Sequence, residues 1–287
     1  MQYEAPTTVD QAVTLLKNSA NTSRVLAGGT DLLVQLRSGM IEPELIVDIK
    51  KIAEVRSIRK EDGKFRVGAA VTSAELGEHA NLKATWPGVV EAAELIGSTQ
   101  IQGRASLGGN LCNASPAADA VPALVAAGTI CMIAGPNGRR ELPVEGICTG
   151  PGQTSLAPGE FVVSFLFPIP KPRSGDAYLR FIPRTEMDIA VVGVGIHITL
   201  DAENVCSDAR VAVGAVAPTV LLVPESAAAL IGTMVDDAAI DKMIAAVRDS
   251  CDPIDDKRGT VAYRTQVAGV LAGRVCRIAL QRARRNQ

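Results

Sequence analysis

Between Gly103 and Asp119 the chain reads GRASLGGNLCNASPAAD, a run without helical or strand period, crowded with glycine, asparagine, serine and proline. Connections in compact domains are mostly about 4–6 residues long, and much longer ones without structure of their own are commonly functional. The fold must arrange its elements around this run and give its backbone something to hold. Glycine lets a backbone turn tightly and approach a ligand closely. Ser and Asn add short donors. The run reads as a loop that grips an elongated polar ligand.

A shorter run, Leu26-Ala27-Gly28-Gly29-Thr30-Asp31-Leu32-Leu33, joins a strand to a helix. A helix start carries free N–H groups that suit a phosphate. Alone, this Gly-Gly turn reads as a plain turn before it reads as a cradle. Neither run contains G-x-G-x-x-G or G-x-x-x-x-G-K-[ST], so Rossmann and P-loop fingerprints are absent. Two cradles in one chain suggest a pyrophosphate held from both sides, hence a dinucleotide.

Composition narrows the class. Hydrophobic residues at 47% rule out general disorder, and a net charge of -2 argues against nucleic acid, which binds by phosphate neutralisation. The start MQYEAPTTVDQ lacks a basic segment and an apolar core, so it does not read as a secretory signal. No apolar run reaches the roughly 18 residues of a membrane span. The six cysteines form no CxxC pair and lack zinc or iron–sulfur spacing, so they read as reduced thiols. Two histidines, His79 and His197, cannot supply a multi-histidine metal site. A cytoplasmic α/β-type protein is expected.

Along the chain, Thr8 and Gln11 suggest a capping box before an apolar face at Ala12, Val13, Leu15 and Leu16. A strand over 24–27, a helix over 31–36 and a strand over 45–49 make a β-α-β unit. Residues 56–59 and 64–67 read as a hairpin turning at Asp62-Gly63. Thr72 caps a helix through Glu78, and helices follow over 88–96 and 120–127. Strands are read over 130–134 and 161–167, with a turn at Pro136-Asn137-Gly138. Three prolines within Pro168–Pro172 mark the best boundary. Beyond it come strands over 190–200 and 209–216, then helices over 236–250 and 260–284. The arginine-rich end reads as cations on a helix C-terminus.

The two glycine runs, with Tyr3-Glu4-Ala5-Pro6, the proline junction, Arg184 to Ala190 and Tyr263-Arg264, resemble the FAD-binding medium subunit of molybdenum hydroxylases, the carbon monoxide dehydrogenase and xanthine dehydrogenase family. The resemblance spans essentially the whole chain. It implies an α+β fold: a vanillyl-alcohol-oxidase (PCMH)-type FAD-binding domain over 1–172, in subdomains of about 1–54 and 55–172, then an α+β C-terminal domain of the CO dehydrogenase flavoprotein type over 173–287. It implies FAD whose pyrophosphate is held by Leu26, Ala27, Gly28, Gly29, Thr30 and Asp31 on one side, and by Ser106, Leu107, Gly108, Gly109 and Asn110 on the other. Asp119 matches an acidic FAD contact, and Ile96, Val162, Arg180 and Ile189 match positions lining the flavin. Some relatives carry Lys at Arg180 and Tyr at Ile189.

The resemblance further implies an electron-transfer subunit. A small iron–sulfur subunit and a large molybdenum-pyranopterin subunit would be its partners, paired as a dimer of heterotrimers that serves an external electron acceptor. The two-iron two-sulfur clusters and the molybdenum would reside on those partners, because no inserted cysteine-bearing segment is visible here. The chain itself needs no catalytic acid–base set and shows none. No histidine lies in either glycine run, so FAD is expected to be non-covalent; Cys112 is the one candidate link, outweighed by a packing role. His79, His197 and Trp86 read as structural, and Glu186 and Asp188 beside Arg184 as a polar network near the flavin or a surface ion-pair cluster. A stand-alone flavin oxidase of the same broad fold is the alternative. It would need a larger, more aromatic cap than the segment after Pro172 offers. A scaffold that has lost FAD fits poorly with intact glycine runs.

Overall fold

The structure is a computed structural model that describes residues 1–19, 22–184 and 186–286. Strands β1 (Gln2–Glu4), β2 (Ser23–Leu26) and β3 (Leu45–Asp48) pair in parallel in the order β1-β3-β2. Helix α1 (Val9–Asn18) links β1 to β2 and buries Val9, Ala12 and Leu16. Its expected capping box is half made. Thr8 Oγ1 accepts the Gln11 N–H, but the Gln11 side chain turns to the N–H of Thr7. Helix α2 (Leu32–Arg37) links β2 to β3 and buries none of its residues. Strand β1 escapes the sequence reading because its three residues are all exposed and carry no alternation.

The next unit opens with the expected hairpin, β4 (Ile58–Glu61) and β5 (Lys64–Gly68). Asp62 and Gly63 turn it with φ of 49° and 80°, as a tight hairpin turn requires. Helix α3 (Ser73–Glu78) starts on a complete capping box between Thr72 and Glu75. Helices α4 (Ala80–Thr85), α5 (Pro87–Ala93), α6 (Thr99–Gln102), α7 (Leu107–Cys112) and α8 (Val121–Ala126) follow. Helix α7 corrects the reading of 103–119 as one irregular loop: Ser106 caps a short helix inside it. Two glycines in its first turn hide that helix from propensity. Then come the hairpin β6 (Ile130–Gly135) and β7 (Gly138–Pro143), the short pair β8 (Cys148–Gly150) and β9 (Gln153–Thr154), and β10 (Phe161–Phe167). The sheet order is β4-β5-β10-β6-β7, with β10 in the middle.

After the proline run the chain forms an antiparallel sheet of β11 (Ser174–Phe181), β12 (Val192–Leu200), β13 (Cys206–Gly214) and β14 (Leu221–Leu222). Helices α9 (Pro224–Leu230), α10 (Asp237–Ser250) and α11 (Val261–Arg285) complete it, α11 lying across β11 and β12. Strand β11 is the largest omission of the sequence reading. Ala177 packs into the C-terminal core, while Tyr178 belongs to the core of the preceding unit. A strand buried on both faces shows no alternation of apolar with polar.

Candidate functional site

The chain ends of the first sheet, strand β10 and helix α7 enclose a cleft of about 350 Å³. Of the residues expected to hold the ligand, Ala27 to Asp31, Ile96, Ser106, Gly108, Gly109, Asn110 and Val162 line it. Leu26 and Leu107 are buried and anchor the two turns from beneath. Asp119 and Arg180 form an ion pair at 2.8 Å and do not line the cleft, although the charge of Asp31 reaches Asp119. Ile189 departs from its expected place: it is 52% exposed and outside the lining. Its neighbour Asp188 is held by Arg184 at 3.0 Å and Arg258 at 3.2 Å. Thr185, within the Arg184–Ala190 run, lies outside the described residues.

The first turn presents a row of donors. Among the described residues, the N–H groups of Gly28, Gly29, Thr30, Asp31 and Leu32 donate to no group of the chain. Gly29 has φ of 82°, a conformation that other residues avoid, and its carbonyl accepts the Leu33 N–H at 3.0 Å. Of these five residues Gly28 is buried, Gly29, Thr30 and Leu32 are half-buried and Asp31 is exposed, so the row stands as open donors at a helix start bordering the cleft, which suits an anionic or acceptor-rich ligand. Across it, the three glycine positions do different work. A Cβ on Gly28 would lie 2.0 Å from the Arg104 carbonyl oxygen, so the two runs touch backbone to backbone there. A Cβ on Gly108 would meet the Ala69 carbonyl at 2.5 Å, and the Gly108 N–H already donates to that oxygen. A Cβ on Gly109 would meet only Ser106 Oγ, at 3.3 Å, and would otherwise stand in the cleft.

The side chains of the second run are largely committed to holding it. Ser106 Oγ accepts the Gly109 N–H at 3.1 Å, and Asn110 Oδ1 accepts the Ala120 N–H at 2.9 Å. Gln35 of α2 donates to Asn113 Oδ1 at 3.0 Å, tying one wall to the other. Thus the asparagines staple the loop, the N–H groups of Gly108, Gly109 and Asn110 are spent within the chain, and the open backbone donors of the cleft are those of the first turn. Burial raises the carboxyl pKa of Asp31. Burial also raises Asp119, opposed by Arg180. Cys112 borders the cleft and is exposed, not packed beneath the loop as expected, while desolvation by the surrounding wall, with Cys148 adding, pushes its thiol up to about 12. It is a thiol at neutral pH, and the thiolate is the nucleophile.

Two charged lining residues escaped the sequence reading. Arg24 borders the cleft from the strand before the Gly-Gly turn. Glu160 is gripped by Arg140 at 2.8 and 2.7 Å, which lowers its pKa. Each is a lone charge beside a strand end, and only its position next to β2 or β10 could have marked it. His79 is structural: its Nδ1 accepts the Leu82 N–H at the start of α4. His197 is buried on β12 against Trp86, 5.4 Å between rings, in a second cavity away from the cleft. Among the described residues no His, Cys, Asp and Glu gather as a metal site, and no helix is long and apolar enough to cross a membrane.

Comparison with known proteins agrees with this geometry. Residues 1–170 match the family model described as the FAD binding domain in molybdopterin dehydrogenase, and residues 177–279 match the CO dehydrogenase flavoprotein C-terminal domain. The carbon monoxide dehydrogenase medium chain of Hydrogenophaga pseudoflava is 31% identical, over 98% of this chain and 97% of that one. The xanthine dehydrogenase FAD-binding subunit of Escherichia coli O157:H7 is 39% identical over 76% of this chain and 74% of its own. A crystal structure of the Cu,Mo-CO dehydrogenase superposes with a TM-score of 0.94 at 30% identity, covering 98% of both chains. Quinoline 2-oxidoreductase from Pseudomonas putida shares the fold, with a TM-score of 0.90 at 24% identity. The chain belongs to the family of FAD-binding medium subunits of the molybdenum hydroxylases.

Proposed function

We propose that the cleft holds FAD with its pyrophosphate between the open N–H groups of Gly28 to Leu32 and the start of α7, and that the chain is the electron-transferring subunit of a molybdenum-containing dehydrogenase. The unpaired N–H row facing Gly109 carries this reading. It offers positive dipole without a lysine, in a site where Asp31 would otherwise repel phosphate. Bound there, FAD would supply the redox chemistry between an iron–sulfur centre of a partner and an external acceptor. The chain's residues position it. Gly28 and Gly108 let the walls meet, Ser106 fixes the α7 start, and Ile96 and Val162 exclude water. Arg180 balances Asp119 beside the site.

In this reading the domain division is 1–172, with subdomains of about 1–54 and 55–172, and 173–287. The change of sheet between Phe167 and Ser174 supports it. Ile189, exposed beside Asp188, would then meet the flavin edge or a partner. The partners are a small iron–sulfur subunit and a large molybdenum subunit, as a dimer of heterotrimers, and unpaired cysteines fit a reducing cytoplasm. FAD is non-covalent, since the one nearby thiol is held protonated. The purified chain should be yellow and release intact FAD on acid treatment, read by chromatography. Flavin left on denatured protein sinks the non-covalent claim, and FMN alone sinks the dinucleotide claim.

A further inference from the structure

Strand β11 faces two ways. Asp176, Tyr178 and Arg180 share one side of it, at the spacing of two that a strand imposes. That side turns toward the FAD-binding unit: Arg180 pairs with Asp119, Tyr178 joins that unit's core, and Asp176 abuts the first turn of α5. The approach at α5 is close. A Cβ on Gly88 would lie 2.6 Å from Asp176 Oδ2, and the N–H groups of Gly88 and Val89 are near enough to favour the charged carboxyl.

Asp176 is 5% exposed, yet among the described residues no cation is bonded to its carboxyl group. The nearest, Arg282 of α11, gives its guanidinium to Glu91 of α5 and to the Asp176 main-chain carbonyl. His197 is the residue directly opposite on β12, and it is buried and uncharged at neutral pH because burial holds it down at about 4. Lys171 of the proline run borders the same cavity of about 220 Å³, which reaches Asp176, Trp86 and His197. Helix α5 runs from this seam to Ala93, three residues before Ile96 in the wall of the cleft.

We propose that Asp176 is a proton-operated latch between the two domains: its neutral carboxyl seats β11 on α5, and loss of the proton admits water to the seam and loosens β11 and Ile96 around the cleft. A buried carboxylate without a paired cation is costly. Its pKa is accordingly raised to about 7, chiefly by burial, with Glu91 adding to the rise and Arg282 and the Gly88 and Val89 N–H groups opposing it. The closed seam therefore binds the proton more tightly than an opened, solvated one. Its stability contribution is full at acid pH, falls as pH rises from the ordinary carboxyl range, and is lost through about 7.

Trp86, the single tryptophan, stands at the start of α5 and reports on the seam without any flavin. Its emission in the full chain should titrate with one midpoint near 7. Asp176→Asn should abolish that transition and His197→Asn should keep it. Arg282→Gln, which removes the opposing cation, should move the midpoint upward. FAD release should quicken severalfold above the midpoint in the natural chain and stay level in Asp176→Asn. This last arm rests on the FAD reading, and the fluorescence arm does not. A chain without FAD whose Trp86 still titrates refutes the cofactor and keeps the latch. A transition that survives Asp176→Asn, or none between pH 5 and 9, overturns the latch.

Discussion

At the scale of single residues, the glycines of the cleft separate binding from folding. The sequence treats Gly28 and Gly109 as equivalent members of two cradles. In the fold, Gly28 is where two backbones touch, and Gly109 faces open space. Gly109→Val should leave the thermal melting point near that of the natural chain and abolish flavin retention, measured as flavin absorbance per chain. Gly28→Val should also lose flavin, but it should lower stability by several kcal/mol, the ~3 kcal/mol scale of overpacking against rigid backbone. Stoichiometric FAD in both variants would refute the two-sided cradle. Residue types made the glycines legible. Nothing in the sequence said that Asn110 and Asn113 would serve as staples, because their partners, Ala120 and Gln35, are fixed only by the folded walls.

At the scale of elements, the legible pieces are those whose signals are local. The β4–β5 hairpin, the Thr72–Glu75 box and the long helices α10 and α11 follow from turn residues, caps and period. Strand β11 and helix α7 do not, since each owes its form to what surrounds it. Helix α7 has a poor sequence and a good cap. Ser106→Ala removes the acceptor of the Gly109 N–H and should cost about 1 kcal/mol, the usual scale for a lost N-cap. FAD affinity should weaken without vanishing, because the N–H row of the first turn remains. Denaturant melts and flavin titration of the same variant check both; unchanged values in both would show that α7 is held by packing alone.

At the scale of the whole molecule, the resemblance foresaw the two-part plan, but not the grip that β11 places on the FAD-binding unit. That grip depends on residues distant in sequence, such as Glu91 and Arg282, whose pairing has no local mark. If the chain is the electron-transferring subunit proposed above, its substrate is oxidised on another subunit, and the chain by itself should oxidise no organic substrate. Reduced flavin on it should react slowly with dioxygen or artificial acceptors. Native mass and metal analysis of the purified assembly, alongside turnover assays, test this; a lone chain with substrate turnover and no molybdenum or iron would promote the stand-alone oxidase.

The position of β10 has a consequence for the order in which the protein is made. It is the last strand of its sheet to leave the ribosome, and it belongs between β5 and β6. Until Phe167 has emerged, two hairpins wait with unpaired inner edges, and the cleft lacks the wall that Val162 supplies. Open edges invite pairing with other chains. The nascent chain therefore passes through a sticky stage that ends at one strand, and cofactor loading cannot begin before that strand is home.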